Sequence, residues 1–239
     1  MAFQGRRVLA VVPARSGSKG IARKNLEQVG GHSLIGHCGR TIGELNWIDQ
    51  AVISTDDDEM AEEAERYGLA APFRRPGELA SDEARAEDAW RHAWRLCERF
   101  FGERFDLGLW LQPTTPLRVA ADVERTVRTM IDGEFDSAAT VSAIPAHLRP
   151  ERAMTLSDEG VLDFYSEAGR GHANRQSIPV TWYRNGVCYA ATRDTVVEQG
   201  RVIGDRSAGV PVEGIVVSID EPFDLEMART QARLEGGRE

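Results

Sequence analysis

The sequence predicts an α/β protein built on a mostly parallel central sheet, and three observations predict it. Val8 to Val12 is a continuous apolar run, short enough to be one strand buried on both faces. Strand-like and helix-like stretches then alternate as far as Val141. Directly after the first strand comes PARSGSKGIARKN, a basic, glycine-bearing loop at the sheet edge where open α/β folds bind ligands.

In order along the chain, Pro13 ends the first strand. Gly17 and Gly20 let the backbone turn tightly and approach a ligand, and Arg15, Lys19, Arg23 and Lys24 add four cations. Such a loop is suited to phosphates. It is neither a Walker loop, lacking a closing Gly-Lys-Ser/Thr, nor a dinucleotide fingerprint. The alternative is an ordinary basic connection between a strand and a helix. Ser33 to Leu45 follows with apolar residues near helical spacing, then a strand over Gln50–Ser54. Asp56, Asp57 and Asp58 at that strand's end admit two readings, a metal cluster or a helix start, and the capping chemistry of acids at a helix N-terminus favours the second, with Thr55 or Asp56 as cap.

A helix over Asp57–Tyr67 and a long helix from Asp82 to Phe101 are expected next. The second carries Trp90, Ala93, Trp94, Cys97 and Phe101 as a core-facing stripe. The third buried strand, Leu107–Leu111, runs into QPTTPLR, whose prolines force a turn at the ligand-binding edge. A helix over Ala121–Ile131 and a strand near Ser137–Val141 complete the alternating pattern. From about Ser142 to Trp182 the pattern stops and Pro and Gly accumulate, which marks a functional insertion rather than slack chain. Ile215 to Ile219 reads as a last strand ending at Asp220, and Glu221–Arg233 as the closing helix, with Pro222 in its first turn.

The length of 239 residues suits a single α/β domain spanning 1–239 with 142–182 as a small insertion. A net charge of -9 argues against nucleic acid as a partner and makes the basic loop a local patch, fitting a phosphorylated small molecule. The N-terminus shows no apolar signal core separable from the first strand and no stretch approaches the roughly 18 apolar residues of a membrane span, so a cytoplasmic protein without a membrane partner is expected. Cys38, Cys97 and Cys188 lie scattered in apolar segments, favouring buried free thiols, and the five histidines show no metal-ligand spacing.

The full run from Val8 to Asn25 resembles the signature of the sugar-acid cytidylyltransferases, the family that includes CMP-acylneuraminate and CMP-KDO synthetases. The acylneuraminate branch is the closer match, through PAR, GSKG and KN in the same order. Further matches are RPGELASDE, LQPTTPLR against the family's LQPTSPLR, HLRPER, NRQSIP, YRNGVCYA and IDEPFDL, so the resemblance covers nearly the whole chain.

What the resemblance implies is a Rossmann-like, three-layer nucleotidyltransferase fold whose insertion at 142–182 is a dimerisation lobe. The implied reaction transfers CMP from CTP to the anomeric hydroxyl of a 2-keto-3-deoxy sugar acid, an acylneuraminate or related nonulosonate, and releases pyrophosphate. Arg15, Lys19 and Lys24 would neutralise the triphosphate, Ser18 and the loop amides would orient it, Asn25 and Arg75 would read the base, and Ala14 would also meet the nucleotide. Gln112, Arg152, Arg175, Asn185 and Tyr189 would meet the sugar acid, the two arginines from a neighbouring subunit. For Arg152 and Arg175 a solvated surface role is the alternative.

The resemblance also implies Mg²⁺ or Mn²⁺ at Asp220. Departures from the family pattern keep other readings open. Ser218 stands where a first metal-holding aspartate is usual, Ala84, Arg85 and Ala86 replace hydroxyl residues of the base pocket, and Arg201, Val202 and Ile203 replace aromatics against the acyl group. A different acceptor such as a phosphonate, use of GTP, or a non-catalytic nucleotide-binding scaffold are the alternatives.

Overall fold

The computed structural model describes residues 3–171 and 179–236. The first strand, β1 (Val8–Pro13), is buried from Val8 to Val12. Val8, Ala10 and Val12 enter one core while Leu9 and Val11 enter another, since successive side chains of a strand point to opposite faces. A short 3-10 turn at Lys24–Leu26 leads to two minimal strands, β2 (Gln28–Val29) and β3 (His32–Ser33), which pair antiparallel. Ser33 then caps α1 (Leu34–Gly43), its hydroxyl accepting from the Gly36 N–H.

β4 (Gln50–Ser54) lies parallel to β1, with Leu9 opposite Gln50 and Pro13 opposite Ser54. α2 (Asp58–Arg66) is capped by Asp57, which accepts from the Met60 N–H at 3.0 Å. The cap is therefore one or two residues later than Thr55 or Asp56, because the Thr55 hydroxyl is spent on the Asp57 N–H. α3 (Ala86–Phe101) starts four residues after the expected Asp82, and β5 (Leu107–Trp110) flanks β1 on its other side, also parallel.

α4 (Ala120–Asp132) and β6 (Ser137–Ala143) follow. After them come β7 (Met154–Leu156), β8 (Leu162–Phe164), α5 (Glu167–Gly171), β9 (Trp182–Thr192), a five-residue π-helical turn at Asp194–Glu198, β10 (Ser207–Pro211) and α6 (Pro222–Gly236).

The six-stranded sheet has the order β10-β6-β9-β5-β1-β4. β9 runs antiparallel to β5, with Trp110 opposite Tyr189. Buried residues of α1, α2 and α4, among them Ile35, Met60 and Val127, pack on the Val8 face. Ala89, Trp90, Ala93, Trp94 and Cys97 of α3 cover the Leu9 face with Val196 and Val197 of the π-helical turn, giving helix, sheet and helix layers.

Trp90 stands between Trp94 and Trp110, with ring centroids 6.2 and 5.5 Å away, a tilted arrangement that such rings favour over face-to-face stacking. The three cysteines are free and buried, and burial pushes the thiols of Cys97 and Cys188 up to about 12. Among the described residues no helix is long and apolar enough to cross a membrane.

The chain divides into two compact units, Met1–Thr140 with Asn185–Glu239, and Val141–Arg184. In the second, β7 and β8 form an antiparallel hairpin with Met154 opposite Phe164. Gly169 lets α5 approach: a Cβ there would lie 2.6 Å from the Glu151 carbonyl oxygen and 2.7 Å from the Phe164 ring. Leu156, Val161, Leu162 and Tyr165 are all more than 60% exposed.

One expected strand is absent. Ile215–Ile219 joins no ladder; Ile219, with Val217 packed alongside, instead enters a small separate core with Val29, Leu34, Leu225 and Ala228. Its tie to the sheet edge is the Ile219 N–H donated to the Thr114 carbonyl at 2.8 Å.

Candidate active site

At the carboxyl ends of β1 and β5 lies a cleft of about 450 Å³. It gathers Arg15, Ser18, Lys19, Lys24, Asn25, Arg75, Gln112 and Asp220, eight of the residues the sequence singled out, from segments up to about two hundred positions apart. Five cations, Arg15, Lys19, Lys24, Arg75 and Arg85, line it against three carboxylates, Asp82, Asp220 and Glu221. In a protein of net charge -9 that excess makes the cleft a place for a polyanion.

The basic loop is held in shape by the aspartate run. Asp56 accepts from both the Ser16 N–H at 2.8 Å and the Ser16 hydroxyl at 2.6 Å. Asp57, besides capping α2, accepts from Arg23, whose backbone sits in the left-handed region at φ 52°. Burial works against the Asp57 carboxylate, but the Met60 N–H and Arg23 outweigh it and hold its carboxyl below the usual range. Asp58 pairs with Arg74 at 2.8 Å. The three neighbouring acids thus go to three different partners, and among the described residues no group of three or more His, Cys, Asp or Glu side chains gathers to hold a metal.

The loop's far end is tied to the segment before α6. Lys24 Nζ donates to the Ile219 carbonyl at 2.8 Å and to Asp220 Oδ1 at 2.9 Å. Asp220 keeps 73% of its side chain exposed. It is one carboxylate facing a polyanion site, which fits a divalent cation that takes its other ligands from phosphate oxygens and water. Asp224 accepts from the Glu221 and Asp220 N–H groups, as an N3 acid does in a capping box, and those bonds hold its carboxyl low.

Arg75 is 7% exposed, and its guanidinium donates to the hydroxyl and carbonyl of Ser54. Burial lowers its pKa to about 10, with Asp56 opposing and Arg15 adding to the effect, so it is still a cation at neutral pH. Arg15 donates to the Ser81 carbonyl at 2.7 Å and to Asp82 at 2.8 Å, and Lys19 reaches the same carboxylate at 2.8 Å. Lys19 and then Arg15 hold the Asp82 carboxyl below its ordinary range. Asn25 is 5% exposed and donates to the Arg15 carbonyl.

Other expected site residues lie elsewhere. Ala14 sits behind the cleft in the core, its N–H donated to the Ser54 carbonyl. Asn185 is buried, its Oδ1 accepting from the Thr140 hydroxyl at 2.6 Å and from the Val187 N–H. Tyr189 and Val202 belong to the core on the α3 side, with Ile203 packed against it, in keeping with aliphatics that replace the family's aromatics there. Arg152 is exposed in the Val141–Arg184 unit, and Arg175 lies outside the described residues. Ala84, Arg85 and Ala86 do line the cleft, and among the described residues no histidine does.

Asp82, Trp110 and Arg118 shape the site without having been singled out, and the sequence marks Asp56 only as a metal-cluster or capping residue. Asp82 stands inside a recognised motif and was the readable one. Arg118 carries no signal beyond its place at the end of QPTTPLR.

A cytidylyltransferase family model matches residues 9–94. Relatives include post-translational flagellin modification protein B of Campylobacter coli, 28% identical over 92% of each chain. CMP-N,N'-diacetyllegionaminic acid synthase of Legionella pneumophila is 27% identical over 98% of each. Among solved structures, CMP:2-keto-3-deoxy-manno-octonic acid synthetase complexed with CTP shares the fold, with a TM-score of 0.69 over 96% of this chain and 99% of that one at 20% identity. Fold, cleft and matches together define a nucleotidyltransferase. Within that class, the chain is similar to the sugar-acid cytidylyltransferases.

Proposed function

We propose that this chain transfers CMP from CTP to the anomeric hydroxyl of a 2-keto-3-deoxy sugar acid of the nonulosonate class. The observation that supports this reading most is the single cleft in which Arg15, Lys19 and Lys24 share a wall with Arg75, Gln112 and Asp220. A triphosphate, a base and a polyol acceptor are the three chemistries those groups suit. Relatives are named for legionaminic acid and N-acylneuraminate.

In this reading the anomeric oxygen attacks the α-phosphorus, a new P–O bond forms, and the α–β anhydride bond breaks to release pyrophosphate. Arg15, Lys19 and Lys24 offset the charge that gathers on the phosphates, and Ser18 with the loop amides orients them. Asn25 and Arg75 read the base, and Gln112 holds the acceptor beside the phosphorus, where fixed geometry lowers the barrier. Asp220 would hold Mg²⁺ or Mn²⁺; the chemistry a bound cation supplies is neutralisation of phosphate oxygens and a lowered pKa for the attacking hydroxyl.

Assembly as a homodimer through 142–182, with Arg152 and Arg175 serving the neighbouring subunit's substrate carboxylate, belongs to the same reading, as does a cytoplasmic setting. The exposed apolar side chains of β7, β8 and their turn support the contact. Pyrophosphate release with CTP against a panel of nonulosonic acids, KDO and phosphonates tests the reaction. Turnover with a sugar acid supports it; turnover with a phosphonate alone, or with GTP in place of CTP, replaces it with the corresponding relative. Ala84, Arg85 and Ala86 on the cleft wall are the reason to include GTP.

A further inference from the structure

Arg118 closes the turn that carries Gln112, and no step above uses it. It is 7% exposed, and the groups it donates to are neutral. One nitrogen reaches Cys38 Sγ at 2.8 Å, and the other reaches both the Gln112 carbonyl and the Thr115 hydroxyl, the latter at 2.8 Å. Among the described residues its Nε has no hydrogen-bond partner. Burying a guanidinium against neutral acceptors is costly, and an apolar side chain would fill the same space at lower cost. What an apolar residue would lack is the planar fork that fixes two acceptors at once.

Those two acceptors are the ends of one turn. The Thr115 N–H also donates to the Gln112 carbonyl at 3.3 Å, and the Thr115 hydroxyl donates to the Gly186 carbonyl at 2.9 Å. Gly186 has φ 79°, and a Cβ added there would lie 2.7 Å from Gln112 Oε1. The Gln112 carboxamide therefore rests against the bare backbone of Gly186, and Arg118 holds the turn that connects the two.

We infer that Arg118 is a positioning residue for the acceptor half of the reaction: through the Gln112–Thr115 turn and Gly186 it sets where the Gln112 carboxamide stands. The inference rests on the proposed role of Gln112. Arg118→Lys keeps the charge and loses the fork. Its acceptor KM is expected to rise about tenfold or more, with the CTP KM within about twofold of wild type. The pair Arg118→Lys with Gln112→Ala is expected to be no worse than Gln112→Ala alone, because residues acting through one another do not add.

Gly186→Ala, which drives a methyl into the carboxamide, is the second variant should the lysine variant not fold, and it should show the same acceptor-only loss. Equal losses for CTP and acceptor, multiplicative effects in the double variant, or an unchanged acceptor KM in Gln112→Ala would overturn the inference. Should wild type turn over no sugar acid, the functional reading fails separately. The positioning claim is then read by NMR: the Gln112 side-chain amide signals, assigned by their loss in Gln112→Ala, must shift in Arg118→Lys, and unmoved signals sink it.

Discussion

Gly20 lies so close to the main chain of Asp220 that a Cβ on residue 20 would stand 2.2 Å from the Asp220 carbonyl oxygen. This contact, together with the Lys24 bonds to Ile219 and Asp220, joins the basic loop to the segment entering α6. Gly17, by contrast, has open space around it. Gly20→Ala should therefore push the loop off Asp220 and lower pyrophosphate release about a hundredfold or more, a loss in keeping with misplaced reacting groups. Gly17→Ala should keep most activity. Equal rates for the two alanine variants would show that the contact does not matter.

Lys24 has only 13% of its side chain exposed, while Asp220 reaches into solvent. Lys24→Met and Asp220→Asn should each abolish most turnover, and a chelator should do the same to wild type until Mg²⁺ or Mn²⁺ is restored. Retained activity after complete metal removal would end the assignment of a metal to Asp220.

Asp82 shares its carboxylate between Arg15 and Lys19, the cations assigned to the triphosphate. Under the proposed function a triphosphate would compete with it for them. Asp82→Asn should lower the CTP KM by up to about fivefold at low salt, and the gain should fade at high salt, as it does for exposed ion pairs. A higher KM would mean that Asp82 orients Arg15 instead of competing.

Asp224 holds the N–H groups of Glu221 and Asp220, and these bonds depress its pKa. A depressed carboxyl contributes stability above its unfolded value, near ~3.9, and that contribution is lost as the pH falls through the lower folded value. Thermal unfolding followed from pH 7 to about pH 3 should show the wild type losing part of its advantage over Asp224→Ala below about pH 4. At neutral pH the variant should cost about 1 kcal/mol, typical of a helix cap.

Gly108, in the middle of β5, faces Trp94 so directly that a Cβ would sit 2.0 Å from the indole ring. Gly108→Ala should destabilise the fold by about 1–3 kcal/mol or more through overpacking, read as a Tm several degrees lower. A Tm unchanged from wild type would mean that the α3 layer is looser than its packing implies.

The strands and helices that the periodicity marks are local features, and they are where the sequence put them to within a few residues. The exceptions are those whose ends tertiary contacts take over. The helix expected from Asp82 begins at Ala86 because Arg15 engages the Ser81 carbonyl and the Asp82 carboxylate. Ile215–Ile219 has a strand's composition but gives its apolar side chains to a side core and one N–H to Thr114. Asn185 and Tyr189 stand in a motif of site-like residues, yet their side chains face the interior, since burial depends on which face of β9 meets which neighbour.

By itself the sequence determined the buried first strand, the basic loop after it and the resemblance to cytidylyltransferases that both carry, because each is written in contiguous residues. Only the tertiary structure decided which partners those residues take. Asp56 on Ser16, Asp82 on Arg15 and Lys19, Gly20 against Asp220, and Arg118 on Cys38 join segments far apart in the chain. Such contacts follow from how layers stack and loops meet at the sheet edge, geometry that no local spacing of residues encodes.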